Sequence, residues 1–321
     1  MDSMKSYIFK TSCGSVGYFQ HNGEDCKLYV SSEYVPLCEN KSWSDWKQFI
    51  ESGYENAPES SHEHPVSRAV SYFLWQHCER VSADVSEFHE SCYRPGTFFP
   101  RINRDSSNLY LHQISSTSFV DEVRAFYNVI DTMEDIFKVV EPTRENLKTY
   151  GHRIREVLTI ACTEVEYLFL QALKSNGYKD KSQYKTTDFV SLLNVYKLSE
   201  YEVELKMHPK LGRIKPFELW DENKPTQSLF WYSAYNASKH DRGGSFDQAS
   251  IEAMVNAIAA IHILLEAQYG SKIFDKPLYS QYESCFHTRK SPTWNVKDML
   301  APYINEKLKV VWDCESEYFG R

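Results

Sequence analysis

From Phe119 to about Tyr269, apolar residues return at steps of three and four, a repeat that commits nearly half the chain to packed helices. Phe119 to Val140 carries Val123, Phe126, Tyr127, Ile130, Met133, Ile136 and Phe137 on one stripe. The longest expected helix, Asn146 to Ser175, has Ile154, Val157, Leu158, Ala161, Val165, Leu168 and Ala172 as its core face, with Asn176-Gly177 as its stop. Shorter helices are expected at Thr187–Val195, Gln227–Asp241 and Gln248–Gln268. Between them, Tyr201, Val203, Leu205 and Met207 alternate as a strand does.

The flanks read differently. Leu28-Tyr29-Val30 and Tyr34-Val35 sit among turn residues and have a β-like character. Helical spacing is expected at Ser42–Glu51 and from Val66 to about His89, with Arg94-Pro95-Gly96 as a stop and a surface loop over residues 51–64. Thr97-Phe98-Phe99 and Leu109-Tyr110-Leu111 are extended candidates, and Lys309 to Trp312 a last strand. The expected fold is mainly α: an up-and-down bundle of four to five helices over 119–270, a mixed α/β N-terminal region over 1–118, and an irregular C-terminal wrap over 271–321 packed on the bundle.

Composition narrows the function classes. The chain has 321 residues with 42% hydrophobic and 25% charged residues, an ordinary globular mix. A net charge of −8 argues against coating nucleic acid through a global positive field, although a local basic groove stays possible. Such a groove could lie between Lys174 and Lys215, where nine Lys or Arg face five acids; a solvated loop accounts for the same tract. The eight cysteines form no Cys-x-x-Cys pair and have no His at zinc-finger spacing, so no metal or other cofactor is expected. With a polar N-terminus and no long apolar run, the expected location is the cytoplasm, without a membrane partner. Phosphate-loop, dinucleotide-binding, nucleophile-elbow and His-Glu-x-x-His motifs are all missing.

The densest polar cluster is Trp231-Tyr232-Ser233-Ala234-Tyr235-Asn236-Ala237-Ser238-Lys239-His240-Asp241-Arg242. On a helix, Tyr232, Asn236 and His240 share one face, with Lys239 beside them and Arg242 at the end. Two readings are open. Basic side chains in a last turn answer the unpaired carbonyls and the helix dipole; alternatively Lys239 and Arg242 hold a phosphate while His240 moves a proton. A second stripe, His152, Arg155, Thr159, Cys162 and Glu166, runs along the long helix. Glu164 lies at the edge of that helix's apolar face and needs a partner, for which Lys239, His240 and Arg242 are candidates.

The stretch Tyr235 to Arg242 resembles the signature of the HEPN superfamily, an Arg often followed by a polar residue such as Asn and then a His a few residues later. Asn236 and His240 occupy the polar and His positions, and Tyr235 stands where the family has its Arg. The chain also resembles a group of uncharacterised bacterial proteins with an Ala-Cys-Thr-Glu-Val-Glu helix, here Ala161 to Glu166, and a Tyr-Asn-x-x-Lys-His-Asp-Arg helix. The resemblance implies a homodimeric helical bundle and a metal-independent RNA endonuclease, a toxin or antiphage effector with an antitoxin or other defence-system protein as partner. It equally admits a non-catalytic module that binds RNA or a protein in a regulatory or scaffolding role. It implies His240 at the 2′-hydroxyl or the leaving oxygen and Asn236 as its orienting group. Lys239 and Arg242 would replace the missing Arg, with Arg155, Glu164, His152 and Tyr235 along the substrate.

Overall fold

The computed structural model describes residues 4–31, 37–51, 64–77, 84–104, 112–114, 116–240, 244–274 and 283–320. The expected strands at Tyr34-Val35 and Leu109-Tyr110-Leu111, most of the expected loop over 51–64, and Arg242 lie outside them, as does the side chain of His240. Two compact units divide the chain. One takes residues 1–99, 104–109 and 294–316; the other takes 100–103, 110–293 and 317–321. The segment expected to wrap the bundle, 271–321, is thus shared between both units.

The expectation of a mainly α bundle is overturned. Of the described residues, 43% are helix and 19% strand, with a five-stranded antiparallel sheet at the N-terminus and eight α-helices among them. The sheet unit is built from β1 (Lys5–Thr11), β2 (Val16–His21), β3 (Asp25–Val30), β4 (Leu37–Ser42) and β5 (Val85–Glu90), in the order β4-β3-β2-β1-β5. Both faces are covered. Tyr7, Phe9, Phe19, Cys26, Leu28 and Val30 pack on Trp46 of α1 (Trp43–Glu51) and on Val66, Ala69, Val70, Phe73 and Leu74 of α2 (Pro65–His77). The alternate residues Ile8, Val16, Tyr18 and Tyr29 pack on Trp294, Val296, Met299, Ala301 and Ile304.

Burial on both faces removes the apolar–polar alternation that marks a half-exposed strand, so β1 to β3 carry no clean period of two. Val85 to Glu90, expected at the end of a helix, pairs with β1 instead, Phe9 standing opposite Phe88. Its residues have no two-sided apolar stripe, and β1 supplies hydrogen bonds that an isolated helix end lacks. Gly17 faces Phe9 across β1 and β2, and the Phe9 ring fills the space a Cβ would need. The unit is completed by β6 (Thr97–Phe98), β9 (Tyr303–Ile304), β10 (Val310–Val311) and β11 (Cys314–Glu315). The first pairs in parallel with β11, and the other two pair with each other.

In the helical unit the long expected helices form, the one expected from Asn146 starting at His152, while the helix expected over Thr187–Val195 is broken into two short ones. The unit's helices are α3 (Thr117–Phe137), α4 (His152–Lys174), α5 (Thr186–Phe189), α6 (Leu192–Tyr196), α7 (Phe230–His240) and α8 (Ile251–Tyr269). Ser116 and Ser250 cap α3 and α8, their hydroxyls accepting from the backbone N–H of Phe119 and Ala253. Beyond α4, Gly177 takes a positive φ of 70°, and the Tyr178 N–H returns to the Leu173 carbonyl, as the Asn176-Gly177 signal predicts. Almost every residue of α8 is buried, because α3, α4 and α7 pack around it. Its length and apolarity would also suit a membrane span, yet here the apolar surface faces the interior of the unit. The alternation at 201–207 forms β7 (Glu202–Leu205), which pairs with β8 (Phe286–Lys290).

Candidate functional site

The last turn of α7 lies beside the first half of α4. Trp231 is fully buried, its indole N–H donating to the Pro216 carbonyl, and it fixes the rotation of α7. Tyr235 and Ser238, four and seven residues on, are buried on the same side. With that face inward, Asn236 is half-buried and Lys239 is exposed at the edge.

Three polar contacts define the surface. The Arg155 Nε donates to the Ser238 carbonyl at 3.2 Å, so a half-buried guanidinium meets one of the last carbonyls of α7. The Lys239 ammonium donates to the Tyr235 hydroxyl at 3.1 Å, one turn back, and lies 5.2 Å from the ring centroid. That hydrogen bond raises the ammonium pKa above its ordinary value. Tyr232 donates to Glu166 Oε1 at 2.6 Å, joining α7 to α4. Burial, and then the Glu166 carboxylate, push the Tyr232 phenol far above its usual range. The thiol of Cys162, one turn before Glu166, is fully buried and likewise raised by burial.

The predicted residues therefore divide. Arg155 of α4 meets α7 at Ser238, Lys239 and Tyr235 contact each other within α7, Asn236 is half-buried on the same helix, and His240 ends it. His152 is exposed at the start of α4, with its ring 4.7 Å from that of Phe246. Glu164 points elsewhere. It is half-buried near Glu122 of α3, and burial together with the Glu122 charge raises its pKa. The carboxylate that meets α7 is Glu166, two positions on, which is a rotation of about 200° around the helix. The apolar edge of the helix points to Glu164, whereas the stripe through His152, Arg155, Thr159 and Cys162 ends on Glu166.

Sequence reasoning missed a buried polar centre in the same unit. Arg101 makes a two-pronged contact with Glu122, Nη1 to Oε2 at 3.2 Å and Nη2 to Oε1 at 2.5 Å, and Nη1 also donates to Gln268 Oε1 at 2.9 Å. The Tyr269 hydroxyl donates to Glu122 Oε2 at 2.8 Å. Arg101 has a left-handed φ of 59°. The available signal was an acid, Glu122, set between Phe119, Val123 and Phe126 on the buried stripe of α3; nothing local marked Arg101 as its partner.

The basic tract offers less free charge than its composition suggests. Lys181 pairs with Asp188, Arg213 with Glu202 and Glu204, and Lys215 with Glu202 and Glu218. Among the described residues, no group of three or more His, Cys, Asp or Glu is placed to hold a metal. Comparison with family profiles, curated proteins and solved structures found no match to this chain.

Proposed function

We propose that the helical unit is a HEPN-like module that acts on RNA at the C-terminal turn of α7. The observation that carries this reading is the Lys239–Tyr235 contact. Tyr235 stands where the family has its Arg, and the Lys239 ammonium folds back onto its hydroxyl, so a cation occupies the neighbourhood of the missing guanidinium. That cation is exposed, on a face that an RNA phosphate can approach.

In the cleaving form of the proposal, the 2′-oxygen attacks the adjacent phosphorus as the P–O5′ bond breaks. One proton leaves the 2′-hydroxyl and one reaches the 5′-oxygen, giving a 2′,3′-cyclic phosphate and a 5′-hydroxyl with no co-reactant. His240 moves a proton, Asn236 orients it, and Lys239 with Arg242 balances the phosphate charge. Such an enzyme would serve as a cytoplasmic homodimeric toxin or antiphage effector, held in check by a partner protein.

A second reading is favoured by Arg155. Its guanidinium is engaged with the Ser238 carbonyl, the arrangement of a helix cap, which suits a module that binds RNA or a protein without cutting. Incubating the purified chain with RNA in excess EDTA separates the two. Cleavage that persists in EDTA and is lost in His240→Ala, with an unchanged melting temperature, supports the enzyme. Intact RNA with retained binding supports the module.

A further inference from the structure

Three aromatic rings gather where α4 begins, close to the last turn of α7. Tyr150, immediately before α4, is 51% exposed, and its backbone is held by a bridge to Ser250 at the start of α8. Its ring meets Phe246 edge to face, centroids 5.6 Å apart and planes at 87°. His152 flanks the same Phe246 ring at 4.7 Å with planes at 41°. The short turn bearing Phe246, residues 246–248, packs against α7. These rings are anchored by backbone pairing and by one another, yet they sit at the surface rather than in the core.

Cations border the group. Arg155 is one turn along α4 from His152 and bonded to Ser238, Lys239 is exposed at the end of α7, and Lys148 is exposed with no ion pair among the described residues. Asp247 and Glu252 are exposed immediately beside Phe246 and Ser250. Negative charge there opposes a phosphate on the rings themselves, which leaves a flat uncharged group as the better occupant.

We infer that the half-exposed Tyr150 ring, held edge to face by Phe246 with His152 on the other flank, is the platform on which an unpaired nucleobase of the RNA stacks, while the neighbouring phosphate lies against Lys239; this rests on the RNA-acting reading of α7. A base offers a π-face of the size of these rings, and such stacking tolerates any sequence. In a duplex those faces are already covered by neighbouring pairs, so the platform selects single strands.

The test uses the full chain and a fluorescent 2′-O-methyl oligoadenylate, whose blocked 2′-oxygen prevents cleavage, alone and as a duplex with oligouridylate. Fluorescence anisotropy should show single strand bound tighter than duplex. Tyr150→Ala should weaken single-strand binding by about 5- to 100-fold, with Tyr150→Phe near wild type because the ring remains. Phe246→Leu keeps apolar bulk for folding and should also weaken binding. Equal affinity for duplex, or full affinity in Tyr150→Ala while Lys239→Ala loses it, would overturn the platform and leave the RNA reading standing. Failure of the wild-type chain to bind either probe would overturn the RNA reading and the platform with it.

Discussion

Glu164 and Glu166 are two residues apart on one helix and live in opposite environments. Glu166 accepts a short hydrogen bond from Tyr232, whereas Glu164 sits half-buried near a second carboxylate, Glu122, whose charge is already matched by Arg101. Because the Glu164 pKa is raised in the folded chain, its contribution to stability is full below the pKa of the unfolded chain and is lost as pH rises through the folded value. Glu164→Gln, which imitates the protonated form, should therefore raise the melting temperature at pH 8 relative to wild type and leave it nearly unchanged at pH 4. Thermal denaturation at both pH values checks this, and a lower melting temperature at pH 8 would mean that the carboxylate has a stabilising partner. Arg101 and Glu122 show the opposite balance. Both side chains are buried, and removing either would strand a charge, at a cost of roughly 3–5 kcal/mol for pairs of this kind.

At the scale of single elements, the helices declare themselves through stripes and caps, while the strands do so unevenly: alternation marks β7 and nothing local marks β5. Ser250 illustrates how much one terminal residue matters. Its hydroxyl takes the Ala253 N–H at the start of α8, the helix around which the unit is packed, while the same residue's backbone bridges to Tyr150. Ser250→Ala should destabilise the unit by about 1 kcal/mol, measurable by urea unfolding, and Ser250→Asp should restore most of that loss. The α4–α7 contact was readable in the same way: the i, i+4 rule set Arg155 and Glu166 on one stripe of α4, and both meet α7. By contrast, the helical spacing that starts at Val66 gives no signal to stop before about His89, so the helical reading runs into β5 (Val85–Glu90). Its conformation comes from β1, more than seventy residues earlier, through pairings such as Phe9 with Phe88.

Across the whole molecule, the sheet unit depends on chain that is nearly three hundred residues away. Gln20 is buried on β2, and its side-chain amide donates to the Pro302 carbonyl while its oxygen accepts the Ile304 N–H at 3.0 Å, much as a neighbouring strand would. Lys27 on β3 adds a bond from its ammonium to the Ile304 carbonyl at 3.3 Å and an ion pair with Glu306 at 2.5 Å. Gln20→Ala would leave two buried backbone groups without partners, at a cost of roughly 2–4 kcal/mol. The expected result is an earlier urea transition, together with faster amide exchange at Ile304; unchanged exchange there would mean that the segment is held by its apolar contacts alone.

The long helical runs of α3, α4, α7 and α8 and the stop after α4 are legible in the residues alone, because they rest on contacts between residues three or four apart. The residues also place the polar stripe of α4, for the same local reason. Tertiary structure alone decided the sheet, the pairing of Glu122 with Arg101, the side of α4 on which Glu164 lies, and the return of residues 294–316 to strands near the N-terminus. Those outcomes depend on partners far away along the chain, where hydrogen bonding and burial are settled by what arrives opposite a residue rather than by its own neighbours.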